Sequence, residues 1–133
     1  MNYWMASAGG LLLLTAYVHV FMGGPEIHDV IQASALDPGV RGVAAVIWHA
    51  ITAILLVYAV VCASLAKSPN RGLALHIIAV QICFAALFVF YGLTLLGNLS
   101  VMPQWIIFLT IPAVMAMGLR SEKAQRRANV IPT

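Results

Sequence analysis

Three histidines and one glutamate could do chemistry near one end of an otherwise apolar chain. His19 and His49 fall within segments that are typical of membrane spans, while Glu26 and His28 lie on the connection between them. Ionisable side chains in hydrocarbon are costly and rare, so they mark candidate functional sites. Imidazole and carboxylate ligands suit iron, copper or zinc, and the core of a helical bundle commonly holds such metals.

The same residues also fit two other kinds of site. Two facing histidines, His19 and His49, could ligate the iron of haem b axially. Tyr91, on the same side of the bundle as the histidines, and Trp48, deeper in its span, are candidate cofactor-binding residues. Alternatively, the histidines could bind a quinone or relay protons, since imidazole titrates in the useful pH range.

A purely structural role is the competing interpretation. A histidine within a span often hydrogen-bonds across helices and so holds them together. Thr15 lies one turn before His19 and Thr52 lies three residues after His49, so both threonines are candidate partners on the same helix faces. The spacing of the histidines matches no established ligand motif, and a single glutamate is not the carboxylate set of di-iron bundles.

The composition indicates that lipid surrounds these residues. The chain has 133 residues, of which 62% are hydrophobic and 8% are charged, whereas soluble domains carry roughly 25% charged residues. A span needs about 20 apolar residues to cross about 30 Å of hydrocarbon. Four segments meet that length, at about residues 3–22, 42–66, 72–96 and 103–119. They predict a single all-α domain, a transmembrane four-helix bundle of up-down-up-down topology.

The first connection, residues 23–41, is long enough to carry an element of its own. Pro25 and Glu26 are typical of a helix start, with the acid favourable at the amino end. Apolar residues then recur at helical spacing until Asp37, Pro38 and Gly39 form a turn. We therefore expect a short surface helix in this loop, above the bundle.

The basic residues predict the orientation. Six of the seven lie between the second and third spans or after the fourth, namely Lys67, Arg71, Arg120, Lys123, Arg126 and Arg127, whereas Arg41 lies in the first outer connection with three acidic residues. Positively charged loops stay cytoplasmic, so both termini are expected in the cytoplasm and the histidines toward the outer side. The net charge of +3 thus reflects orientation, and nothing favours nucleic acid as a partner. By helical rise, His19 and His49 lie roughly 5 and 10 Å below the outer surface, in neighbouring spans.

One stretch resembles a known group of proteins. The residues His-Val-Phe-Met-Gly-Gly-Pro-Glu, from His19 to Glu26, followed by Trp48 and His49, resemble a pattern in small four-span bacterial inner-membrane proteins of unassigned function. The resemblance covers the first two spans and implies no activity. It groups His19, Glu26 and His49, and it implies a bacterial inner-membrane location.

The leading hypothesis is therefore a small inner-membrane protein that holds a metal ion or haem as a redox-type component. The candidate metal ligands are His19 and His49, with Glu26 and His28 as further ligands. The alternatives are a non-catalytic accessory subunit of a larger membrane complex, and a quinone or proton-relay site. The lipid bilayer is the expected surrounding, and a homo-oligomer or larger complex the expected assembly.

Overall fold

The chain is all-helical over the residues that a computed structural model describes, which are 1–128, with side chains described through residue 124. The elements in chain order are α1 (Tyr3–Val18), a π-helix (His19–His28), α2 (Asp29–Gln32), α3 (Pro38–Leu65), α4 (Arg71–Thr94) and α5 (Trp105–Ala128). Four helices are each long and apolar enough to cross a membrane. This finding confirms the helical, membrane-spanning part of the predicted fold. The side chains of Arg126 and Arg127 lie outside the described residues.

The first helix is longer than the sequence predicts. We expected the first span to end near Met22 and a separate surface helix to begin at Pro25. In the structure α1, the π-helix and α2 form one continuous helix, Tyr3–Gln32, and Pro25 lies inside it. The separate surface helix is therefore not seen. The second helix also begins earlier than expected, at Pro38, which the sequence had suggested as part of a turn.

Three of the helices begin at side-chain caps. Asn2 caps α1 by accepting from the backbone N–H groups of Trp4 and Met5, and Asn70 caps α4 by accepting from Leu73. Asp37 caps α3, with Pro38 at the first helical position, where no amide hydrogen is needed. These caps define where the three helices begin.

Helix α1 has a central place in the packing. It packs along α3 on one side and against α5 on the other, and α4 packs on α5, whereas α3 and α4 touch only slightly. The core is apolar and lies along these interfaces, with Leu12, Leu55, Ile77, Ile111 and Met115 almost fully buried. Large apolar side chains elsewhere face outward, as expected where lipid is the solvent.

The two ends of the helices differ in chemistry. One end, called here the basic end, carries Asn2, Lys67, Arg71 and Lys123. The backbone N–H of Asn2 donates to the carbonyl of Ala66 at 2.8 Å. The side chain of Asn2 also donates to Glu122 at 2.7 Å, so α1, α3 and α5 meet there. The histidines of the first two spans lie toward the opposite end.

Candidate functional site: three histidines around Trp48

A ten-residue π-helix positions two of the histidines. It runs from His19 to His28, and it closes with the backbone N–H of Asp29 donating to the carbonyl of Gly24, five residues back. Pro25, within it, has no backbone N–H, so it cannot form the α-helical hydrogen bond to the carbonyl four residues back. π-helices are rare and are frequently found at functional sites.

The π-helix determines which side chains share a face. In an α-helix each residue turns by about 100°, so residues nine apart lie on opposite faces. The wider π turn holds roughly 4.4 residues, so nine residues make about two full turns. His19 and His28 therefore face the same way in this chain, although ordinary helical spacing would separate them.

The indole of Trp48, on α3, lies at the centre of the site. His19 stacks on it, with ring centroids 3.9 Å apart and an interplanar angle of 19°. His28 approaches it with centroids 5.6 Å apart. Gly23 allows this contact, because a Cβ there would lie 3.2 Å from Cη2 of Trp48. A side chain at this position would require the indole to shift by a few tenths of an ångström.

A backbone hydrogen bond orients the His19 ring. Its Nε2 lies 3.2 Å from the carbonyl oxygen of Trp48, which also accepts from the hydroxyl of Thr52 at 3.2 Å. A carbonyl oxygen only accepts, so Nε2 carries the hydrogen and Nδ1 is the free nitrogen. The threonines expected as histidine partners do not bond to a histidine: Thr15 donates to the carbonyl of Leu11 instead.

His49 completes the group. Its ring lies edge-on to that of His28, with centroids 5.3 Å apart, and its side chain is exposed. We call His19, His28, Trp48 and His49 the histidine cluster. The cluster links the first helix to α3 through a continuous series of ring contacts. His19 and His49 are joined in this series through Trp48 and His28, and a shared ligand site between them stays a prediction.

Two other predicted site residues have no described contact with the cluster. Glu26 is exposed, and none of the described hydrogen bonds joins it to a histidine. Tyr91 is 51% exposed and contacts Phe90 on its own helix, α4, with ring centroids 5.2 Å apart. In the part of the chain whose side chains are described, no group of three His, Cys, Asp or Glu residues could hold a metal ion as it stands.

The sequence does not predict a pair of hydrogen bonds between Gln32 and Arg41. The side chain of Gln32 donates to the carbonyl of Arg41 at 3.0 Å, and the guanidinium of Arg41 donates to the carbonyl of Gln32 at 2.8 Å. This reciprocal pair ties α2 to the start of α3. No sequence pattern signals it, because it depends on the first helix continuing to Gln32. The Gly-Gly-Pro run before Glu26 is the one local sign of an unusual helix.

The fourth histidine lies elsewhere, as expected. Nε2 of His76, on α4, is 3.4 Å from the hydroxyl of Tyr58 on α3, toward the basic end.

No protein-family model, curated protein or solved structure matches the chain. The resemblance to small four-span bacterial proteins therefore stays a prediction.

Proposed function

We propose that this chain is an integral membrane protein whose histidine cluster takes up and passes protons at one membrane surface. The observation that carries this proposal is the π-helix, which turns His19 and His28 onto one face and against Trp48. A long π-helix is costly to keep where an α-helix would serve. Its effect here is to gather imidazoles, which are the side chains that titrate near neutral pH.

The geometry suits a proton path. The free Nδ1 of His19 can accept a proton while Nε2 stays bonded to the Trp48 carbonyl. An imidazolium stacked on an indole face is favoured by a cation–π interaction. Within the cluster the ring of His28 lies edge-on to that of His49, and His49 is exposed, so protons can enter the cluster at His49. Transfer from one ring to the next requires a bridging water or a rotation of the rings, because no two imidazoles of the cluster are hydrogen-bonded among the described residues. The charged groups nearest in sequence are Glu26, Asp29 and Arg41.

The basic residues support an orientation for this path. Lys67, Arg71, Arg120 and Lys123 lie at or near the end opposite to the cluster, and positive loops stay cytoplasmic. Both termini are then cytoplasmic, the four helices run alternately up and down, and the cluster opens to the outer side of a bacterial inner membrane. The apolar outward faces support a bilayer as the surrounding.

The test uses the fluorescence of Trp48 alone. In a variant with Trp4→Phe and Trp105→Phe, emission is measured in detergent between about pH 5 and 8. An imidazolium in contact with an indole quenches its emission, so acidification should dim Trp48. Adding His19→Gln should remove most of the quenching, whereas the matched control His76→Gln should keep it. Emission that ignores pH, or that titrates equally in both variants, overturns the proposal.

A metal site is the second candidate, and one observation favours it. Histidines that ligate metals commonly donate their other ring N–H to a backbone carbonyl, as His19 does here. Side-chain rotation by His28 and His49 would have to complete the site, with Glu26 as a further ligand. Iron, copper or zinc near one equivalent per chain, lost in His49→Ala, would support this candidate. A Soret band would instead indicate haem b.

An accessory subunit without its own chemistry is the remaining alternative. It predicts that the protein purifies in mild detergent with one defined larger partner, or as a homo-oligomer. It also predicts that His19→Gln and His49→Ala change only stability. Native mass measurement of the wild-type protein and of both variants separates this alternative from the proton and metal hypotheses.

A further inference from the structure

An apolar groove runs along the junction of α1 and α3 at the basic end, far from the histidine cluster. Its volume is about 370 Å³. Small residues from both helices line it: Ala6, Gly9 and Gly10 from α1, and Ala59, Ala63 and Ala66 from α3 and the residue after it. Leu13 closes its deep end.

The groove exists because small residues let α1 and α3 pack closely at Gly9 and leave open space beside them at Gly10. A Cβ on Gly9 would lie 3.2 Å from the carbonyl oxygen of Ala59, so the two backbones nearly touch there. A Cβ on Gly10 would meet nothing within 4 Å. Ala6, Gly10 and Ala63 are exposed, so the groove opens sideways to where the lipid chains lie.

The depth of the groove matches one leaflet. Its mouth lies where Asn2 bonds to Ala66, and its deep end is Leu13. The helical rise between Asn2 and Leu13 amounts to roughly 16 Å. That is about half of the hydrocarbon thickness of about 30 Å, the depth that an acyl chain from one leaflet reaches.

The mouth of the groove carries a positive charge. Lys67 lines it and is exposed, and no acidic side chain lines it among the described residues. A lysine at the membrane surface attracts the anionic headgroups of the adjacent leaflet. We propose that the groove binds one anionic phospholipid, with an acyl chain along α1 and α3 and the phosphate at Lys67.

The rival occupant is a second copy of this chain. Small residues spaced by four, such as Ala6 and Gly10, also allow close helix–helix packing. A second copy presents Lys67 as well, so two like charges would meet at a symmetric interface. The charge at the mouth therefore favours the lipid.

Native mass spectrometry of the full chain in detergent tests the proposal. Phosphatidylglycerol and phosphatidylcholine of the same acyl chains are added in turn, and bound lipid is counted. We expect one phosphatidylglycerol per chain, held more tightly than phosphatidylcholine. Lys67→Gln should weaken phosphatidylglycerol binding by about fivefold, whereas Lys123→Gln, an exposed lysine outside the groove, should not.

Filling the groove supplies the second arm. Gly10→Leu should block both lipids, and Gly42→Leu is its matched control, because a Cβ at Gly42 also meets open space. Should Gly10→Leu fail to fold, Ala63→Leu fills the groove from α3. Equal binding of the two lipids, equal loss in variants and controls, or a lipid-independent dimer that Gly10→Leu dissociates would each overturn the proposal.

Discussion

The imidazole of His19 lies nearly parallel to the indole of Trp48, 3.9 Å away between ring centroids, and donates to the carbonyl of that same residue at 3.2 Å. One tryptophan thus supplies both a flat surface and a hydrogen-bond acceptor. Together they fix the orientation of the histidine ring and leave one ring nitrogen free.

Gly23 should be needed for this contact, whereas its neighbour Gly24 should not. A methyl group at Gly23 would lie 3.2 Å from Cη2 of Trp48, but at Gly24 it would meet nothing within 4 Å. Gly23→Ala should lower the free energy of unfolding by about 1–2 kcal/mol and shift Trp48 emission. Gly24→Ala should stabilise slightly, as expected in a helix. Thermal unfolding in detergent measures both, and equal effects would contradict the packing at Trp48.

Asn2 should stabilise the protein more than another helix cap does. It caps α1 and also donates to the carbonyl of Gly118 at 3.1 Å and to Glu122 at 2.7 Å. Asn70 caps α4 through a single bond to Leu73. Asn2→Ala should therefore cost about 2 kcal/mol and Asn70→Ala about 1 kcal/mol. Comparison of the two variants by thermal unfolding checks this order, and a larger loss for Asn70→Ala would reverse it.

Phe108 should carry much of the α4–α5 interface. It is 5% exposed and packs against Phe84 and Phe88, with ring centroids 5.4 and 5.6 Å away. Phe108→Ala should destabilise by about 3–5 kcal/mol. Phe90→Ala is the control, because Phe90 is 56% exposed and leaves no internal cavity when shortened. Similar unfolding temperatures for these two variants would contradict the placement of Phe108 in the core.

Gln81 should destabilise the protein. It is fully buried in α4, and among the residues whose side chains are described neither its amide nitrogen nor its amide oxygen has a hydrogen-bond partner. An apolar residue of similar size removes this cost, so Gln81→Leu should raise the free energy of unfolding by about 1–3 kcal/mol. Gln104→Leu should gain less, since within the described part of the chain its amide oxygen is buried and unpaired but its amide nitrogen is not. A loss of stability in Gln81→Leu would show that the amide has a partner in the membrane.

The proposed orientation can be read from two engineered cysteines. Ser68 lies in the loop before α4 and Ser100 in the loop before α5, and both are exposed. In a Cys62→Ala, Cys83→Ala background, a membrane-impermeant thiol reagent applied to intact cells should label Ser100→Cys but not Ser68→Cys. Labelling of Ser68→Cys alone would place the termini outside.

Much of the helical fold follows from composition and charge. The apolar lengths around Leu12, Leu55 and Ile77 predict membrane helices because no soluble domain can cover so much apolar surface. The start of α3 at Pro38 is less predictable, because Asp37, Pro38 and Gly39 are also typical of a turn. The partners of each helix follow less directly, since the slight contact of α3 with α4 depends on side-chain packing over the whole molecule.

The cluster was only partly predictable, for a local reason. Depth along antiparallel helices predicts that His19 and His49 lie in the outer part of neighbouring spans, but it does not predict that His19 stacks on Trp48. The position of His28 depends on a π-helix. The spacing of apolar residues in the sequence does not distinguish a π-helix from a loop. Tyr91 shares the end of the molecule but not the site, because its helix packs on α5 instead of on the first helix.

The slight contact between α3 and α4 has a consequence for how the chain is built. The protein divides into two helical pairs, the first helix with α3 and α4 with α5, joined mainly where α1 meets α5. Cleavage of the chain between Ser68 and Pro69 would leave the packing within each pair intact. The first pair can insert and close while the second is still being synthesised, and two separately made halves retain the surfaces through which they reassemble.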